Sequence, residues 1–268
     1  MDDGSVHRNA SGAALFRLAF SRLDARDGQG ILASHYRQET PMIDVRRSYL
    51  RGGEIFMASS TGASGEPGAQ LEAAVAECRA ALAREGLSHL DVALSRLWMS
   101  DRDSAAKLND VRDWLLRGEG RSASSSFFSR QRTGAGHVAV EFYAVRPLAG
   151  APPRRLVDFD PPRRYAHYLV SGDWLFLSGM AEEGETMNIQ FDLAFAPVQA
   201  ALDAERFGWA DVCSASLFLQ RGKATPDWML DRFAKAAPIT PPIVTFELVD
   251  ELANTPKHLE IEIIARRP

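Results

Sequence analysis

Cysteine is scarce: only Cys78 and Cys213 occur, and neither has a Cys or His neighbour at metal-ligand spacing. A disulfide framework and a cysteine-built zinc site are excluded as organising features, and both thiols are expected to be buried apolar side chains. The histidines form neither HxxxH nor HExxH, so a helical zinc-hydrolase site is missing as well. GxxxxGK(S/T), GxGxxG and GxSxG are all absent. This removes the usual sequence support for ATP-driven chemistry, dinucleotide redox chemistry and a nucleophile elbow.

A large excess of one charge is missing too. The 31 Lys+Arg against 35 Asp+Glu leave a net charge of −4, so no general electrostatic grip on nucleic acid or anionic lipid is expected. The most apolar N-terminal stretch, Ala13 to Leu23, is broken by Arg17 and Arg22 and is too short to span a bilayer. It reads as a short amphipathic helix covering part of the main fold. The chain starts with Asp2 and Asp3 rather than the positive region of a signal peptide, which makes a cytoplasmic location the default expectation. With 46% hydrophobic and 25% charged residues, the composition is that of a globular protein with material for a core.

An internal repeat appears when the chain is laid on itself with an offset of 120 residues. Ile55-Phe-Met57 then falls on Leu175-Phe-Leu177, and Leu97-Trp-Met99 on Leu217-Phe-Leu219. Between them, Gln70 to Val92 aligns with Gln190 to Val212 without a gap, with nine identities in twenty-three positions, among them Gln70/Gln190, Glu85/Glu205 and Asp91/Asp211. In each copy a β-type run (Glu54 to Ser59; Trp174 to Ser178) precedes a helical pattern (Gln70 to Arg84; Gln190 to Ala204). Alternating strands follow (Val92 to Met99; Val212 to Leu219), then second helical patterns (Asn109 to Leu116; Trp228 to Phe233). Each copy closes on an apolar and acidic alternation, His137 to Val145 and Leu259 to Ala265. This order predicts an α+β fold of two tandem domains, each a mixed sheet with two helices on one face. The expected boundaries are an N-terminal extension at 1–44, repeat 1 at 45–150 and repeat 2 at 151–268. A proline-rich, extended connector is expected at 147–162. The first 150 residues carry a net +1 and the rest −5, so neither half is a basic module.

The stretch Tyr165 to Ala181, with its glycine bend and a strand ending in Ser178-Gly179-Met180, resembles the opening of the reactive intermediate deaminase family (RidA, also called YjgF). Gln190, Ser216 to Leu219 and Leu259 to Ala265 continue the pattern in order. Repeat 1 is similar at Trp98 to Asp103, Asn109 and Val138 to Ala144. The resemblance covers about residues 45–147 and 160–268. It implies chorismate-mutase-like α+β domains that assemble as trimers, with small-molecule clefts between neighbouring domains. It also implies hydrolysis of imines and enamines without a metal or organic cofactor. A self-associating chain is therefore expected, a homotrimer of six repeat domains.

The resemblance implies site residues as well. Glu141 and Glu262 match the final-strand glutamate that orients water, and they are the candidate catalytic carboxylates. Asn109, Tyr165 and Gly179 match cleft positions, and Asp227 occupies the counterpart of Asn109 in repeat 2. The family's carboxylate-binding arginine, suited to that task by its planar fork, falls on Ala123 in repeat 1 and Ile243 in repeat 2. Both copies thus lack it; Arg121, Arg130 and Arg132 are the nearby replacements. A cleft between unlike repeats would combine Asn109, Arg130 and Glu141 with Tyr165 and Glu262. Cofactor-free hydrolysis of a small reactive metabolite is the leading reading. A chorismatase-like hydrolase, also resembling paired RidA-type domains, and a noncatalytic ligand-binding or assembly protein are the alternatives. No basic groove supports a ribonuclease.

Overall fold

The computed structural model describes residues 44–62, 65–108, 118, 120–146, 149–163, 165–253 and 256–268. Residues 1–43, with the Ala13 to Leu23 segment, and the helical pattern from Asn109 to Leu116 lie outside them.

In the first half, β1 (Asp44–Leu50) and β2 (Gly53–Ser60) form a hairpin, followed by helix α1 (Pro67–Arg84), β3 (Val92–Met99), the short α2 (Arg102–Ala106), β4 (Ala123–Phe128), the single turn α3 (Arg130–Thr133) and β5 (Val138–Val145). The tight β1–β2 turn places Arg51 at φ 47° and Gly52 at φ 76°, the left-handed pair that matches strand twist in a two-residue hairpin. The second half runs β6 (Arg155–Asp158), β7 (Ala166–Ser171), β8 (Trp174–Leu177), α4 (Met187–Ala204), β9 (Val212–Gln220), α5 (Pro226–Ala236), β10 (Ile243–Val249), β11 (Glu251–Leu252) and β12 (Leu259–Arg266). The stretch read as an extended connector therefore contains a strand, β6, which pairs with β7 and extends the second sheet.

Two six-stranded mixed sheets result, ordered β1-β2-β5-β3-β4-β11 and β10-β9-β12-β8-β7-β6. Each is covered by helices on one face and by the other sheet on the opposite face. Along β5, Val138, Val140, Phe142 and Ala144 join the cluster under α1. The alternate residues Tyr143 and Val145 instead pack with Trp174, Phe176 and Ile264 of the second half. Strands buried on both faces lose the apolar/polar alternation of a half-exposed sheet, which is why β3, β5 and β12 read as nearly continuous apolar runs with isolated charges.

The halves also interlock. Strand β11 comes from the second half but pairs antiparallel with β4 in the first sheet. The crossing is held by Asp250 N donating to Phe128 O (2.9 Å) and by Arg102 on Glu251 (2.6 Å).

The repeated glutamine has the same task in both copies. Gln70 Oε1 accepts from the backbone N–H groups of His137 (2.6 Å) and Val138 (3.1 Å), and Gln190 Oε1 accepts from His258 N (2.9 Å). Each side chain ties its helix to the entry of the last strand, a point where backbone donors would otherwise be orphaned. The other shared acids act alike: Asp91 Oδ2 accepts from Ser88 N and Asp211 Oδ2 from Gly208 N. Replacing Gln70 or Gln190 by alanine is expected to cost about 1–3 kcal/mol in either copy, as urea unfolding would measure.

Candidate active site between the two halves

Arg96 is the only charged residue of β3, Val-Ala-Leu-Ser-Arg-Leu-Trp-Met. Neighbouring strands place it beside Glu141 on β5 and Ser125 on β4. The same registers in the second half place Ser216 beside Glu262 and Thr245. Arg96 and Ser216 are thus equivalent positions, as are Glu141 and Glu262, and the two rows meet where the sheets face each other.

One guanidinium serves both glutamates. Arg96 Nε donates to both oxygens of Glu262 (3.1 and 3.2 Å), and Nη2 also binds Glu262 Oε1. Arg96 Nη1 reaches Glu141 Oε2 (3.3 Å) and the Tyr143 hydroxyl (2.6 Å), while Nη2 donates to Ser216 Oγ (2.8 Å). The Tyr143 and Phe218 rings lie under the cation at 4.7 and 5.3 Å. Burial alone would lower the arginine's proton affinity, but Glu262, Tyr143 and Glu141 outweigh it and hold the charge firmly in place. Glu141 is pushed up by burial and pulled down more strongly by Arg132 and Arg96, ending below the usual carboxylate range. Arg132 completes the network, bridging Glu141 (3.3 Å) and Glu247 on β10 (2.7 Å).

A small cleft of about 30 Å³, room for one or two waters, opens beside this network. Ser124, Ser125 and Ser126 line it from the first half, and Tyr165, Gly179, Lys257 and Glu260 from the second, with Ala181, Leu252 and Ala253 as apolar wall. Backbone bonds across the halves shape it: Ser178 Oγ accepts from Ser124 N (2.8 Å), and Gly179 N donates to Ser124 O (3.2 Å).

Glu260 shares the inner face of β12 with Glu262, two residues on, but has no arginine of its own. It is 7% exposed, and among the described residues its Oε1 has no hydrogen-bond partner. Burial, reinforced by the charge of Glu262, pushes its carboxyl up to about 8, against the smaller opposing pulls of Ser125, Lys257 and Arg96. The acid form therefore prevails at neutral pH. Gly179 makes room for it: a Cβ there would lie 1.5 Å from Glu260 Oε1. Lys257 stands at the wall, donating to Ala181 O (2.6 Å) and paired with Glu182 (3.4 Å). The position equivalent to Glu260 in the first half is Ala139, the cross-strand partner of Trp98 as Glu260 is of Phe218. Only one half carries the second carboxyl.

The residues singled out from the sequence are distributed as follows. Glu141 and Glu262 are brought together, but as ion-paired carboxylates caged by arginine rather than as groups facing the cleft. Tyr165 and Gly179 line the cleft. Arg121 turns away to Asp158 (2.9 Å). Arg130 is exposed at the start of α3, its backbone N–H donating to Asp250; Arg132 reaches the buried network instead. Asp227 is exposed in the first turn of α5, where a negative charge suits the helix dipole. Asn109 lies outside the described residues. Ala123 and Ile243, the positions of the missing family arginine, pack in the apolar layer between the sheets. Arg96, Lys257 and Glu260 were not anticipated. The signals were a lone arginine in an apolar strand and a second glutamate in Leu259-Glu-Ile-Glu-Ile263. Cys78 and Cys213 are both buried, as expected of apolar thiols. Among the described residues, no three His, Cys, Asp or Glu side chains converge as a metal ion requires, and no helix is long and apolar enough to cross a membrane.

No protein-family model matches the chain, and no curated protein matches it. Among solved structures, a chorismatase is similar over 85% of this chain and 80% of its own, at 15% identity and a TM-score of 0.56. A member of the YjgF/YER057c/UK114 family from Mycobacterium tuberculosis matches 42% of this chain and 99% of its own, at 21% identity and a TM-score of 0.37. A YjgF-family protein from Neisseria meningitidis matches 43% and 95%, at 24% identity and a TM-score of 0.35. In fold the chain is a mixed α+β protein of two related halves, and its likeness to the chorismatase runs through both.

Proposed function

We propose that the chain is a cofactor-free hydrolase acting on a small polar metabolite in the cleft between its halves, with Glu260 as the general acid. The observation behind this reading is a carboxyl that lines the cleft, has no arginine partner and is pushed up to about 8 by burial. An acid poised near the working pH is matched to proton transfer.

Hydrolysis of an imine, an enamine or an enol ether starts with that transfer. Protonation of the imine nitrogen, or of the carbon end of the C=C bond, leaves an iminium or oxocarbenium ion. Water adds to the cationic carbon, the Glu260 carboxylate takes the proton released, and the adduct collapses to a carbonyl compound and ammonia, an amine or an alcohol. Lys257 supplies positive charge at the wall, and the hydroxyls of Tyr165 and Ser126 supply polar contacts. Glu141 and Glu262, ion-paired by arginine, hold the two sheets in register and add negative potential beside Glu260. The chorismatase likeness brings an enol ether into the substrate panel.

The test is product release from freshly generated imines and enamines and from chorismate, with the native protein and Glu260→Gln. Turnover of one panel member that the substitution abolishes is the expected result. Turnover indifferent to Glu260→Gln, or none with any compound, would overturn the proposal. On the substrate that reacts, Gly179→Ala should lower kcat at least about tenfold, because its methyl occupies the place of the acid. Circular dichroism would verify that the fold persists.

A further inference from the structure

We infer that the outer face of helix α4 is the docking surface for the chain's own N-terminal segment Ala13 to Leu23, laid along it as a helix.

Helix α4 (Met187–Ala204) turns Phe191, Ala194, Val198 and Leu202 to the core. On its opposite side Ile189, Leu193, Ala196 and Ala200 recur at i, i+4, i+7 and i+11, which sets them in one row along the helix. All four are exposed, Ile189 at 42% and Leu193 at 44%. Apolar side chains scattered singly over a surface need no explanation, whereas a row along one helix is a packing face without a partner. The repeat shows that the fold itself does not call for it. The same four positions in α1 are Ala69, Ala73, Ala76 and Ala80, so large side chains stand on the outside of the second copy alone.

Three observations identify the occupant. Within Ala13 to Leu23, the residues Leu15, Phe16, Ala19, Phe20 and Leu23 recur at i, i+1, i+4, i+5 and i+8, one face of a helix. A helix of about three turns is too short to persist alone in water and needs a surface to pack on. The charges are complementary as well. Helix α4 carries Asp192 and Asp203 and no Lys or Arg; Asp192 is bridged by Arg232 of α5, and Asp203 accepts from the neutral Gln199 (2.8 Å). The segment carries Arg17 and Arg22 and no acid, whereas a second copy of α4 would bring like charge to the same face. Finally, the tether is long enough. The turn after β1 already touches the end of this helix region, where the Arg51 guanidinium donates to Ala210 O. Strand β1 covers about 23 Å and α4 about 27 Å, while residues 24–43 extend to about 66 Å.

The experiment is cysteine cross-linking in the full chain. Both natural cysteines are buried, so the native protein supplies the background. Ala19→Cys is combined with Ala196→Cys, in the middle of the exposed row, or with Ala76→Cys, at the equivalent place on α1. Dilute protein is treated with a short bis-maleimide and the linked peptides are mapped by mass spectrometry. The 19–196 link should form within one chain, with at least about ten times the yield of the 19–76 link, because docking raises the local concentration of residue 19 above that of a loose tether. Adding Leu193→Asp to the first pair should lower its yield at least about tenfold, since a carboxylate in an apolar contact loses hydration and gains no partner. Leu193, Ala196 and Ala76 are exposed, so these substitutions leave the core intact, and circular dichroism would verify it. Equal yields at both helices, or a yield indifferent to Leu193→Asp, would overturn the assignment. A link found only between chains would overturn it too, in favour of a second copy as the occupant.

Discussion

Arg96→Met is expected to destabilise the protein by about 3–5 kcal/mol, because it leaves two buried carboxylates without their shared cation. Glu262 is 1% exposed and, among the described residues, is hydrogen-bonded by Ser125 and the guanidinium alone; Glu141 keeps Arg132 but loses Arg96 and with it part of its neutralisation. The loss should be mostly reversible by chemistry. Arg96→Met combined with Glu141→Gln and Glu262→Gln removes the unpaired charges and should recover most of the stability, since a buried ion pair replaced as a whole costs little. Urea unfolding of the single and triple variants reads both effects. The pH dependence has a definite sign. Glu141 is depressed in the folded state, so its contribution is present above the ordinary carboxylate range and is lost as pH falls through the folded value. The deficit of Arg96→Met against the native protein should therefore shrink on acidification.

Glu260→Gln should do the opposite to stability while abolishing activity. Loss of a general acid typically lowers the rate by about 10²–10⁴. The folded carboxyl titrates at about 8 against an ordinary value of 4.5. A raised value contributes its stability fully below the ordinary value and loses it as pH rises through the folded one. By neutral pH the native protein has forfeited on the order of 3 kcal/mol that a glutamine, unable to ionise, retains. The variant should therefore match the native protein near pH 4 and become increasingly more stable toward pH 8. An inactive variant that is more stable at neutral pH cannot be explained by misfolding, which is what makes the pair of measurements informative.

Much of the architecture was legible because the repeat is written in residues with local duties. Gln70 and Gln190 bind the entry of a strand, and Asp91 and Asp211 cap a turn; such tasks depend on near neighbours and recur with the fold. The helices and the closing strands follow from the same local periodicities. Strands β1 and β6 escaped notice because they pair at sheet edges, where short polar-rich segments carry little pattern. The exchange of β11 was hidden for another reason: two residues joining a distant strand leave no periodicity at all.

The site was legible only in part. Tyr165 and Gly179 could be placed by resemblance, and Glu141 and Glu262 stood out as acids in apolar strands. Their pairing with Arg96 was not visible, because the position equivalent to Arg96 in the second half is Ser216 and the cage forms only when one half meets the other. For the same reason Glu262 and Glu260, on one face of one strand, could not be told apart from the sequence. Which of them is neutralised depends on how far a side chain of the opposite sheet can reach.

The central claim, that Glu260 is held as an acid at neutral pH, is tested most directly by following its carboxyl carbon by NMR from pH 4 to pH 9, with Glu260→Gln to identify the signal. A midpoint near 8 is the predicted result, and one near the ordinary 4.5 would contradict the account.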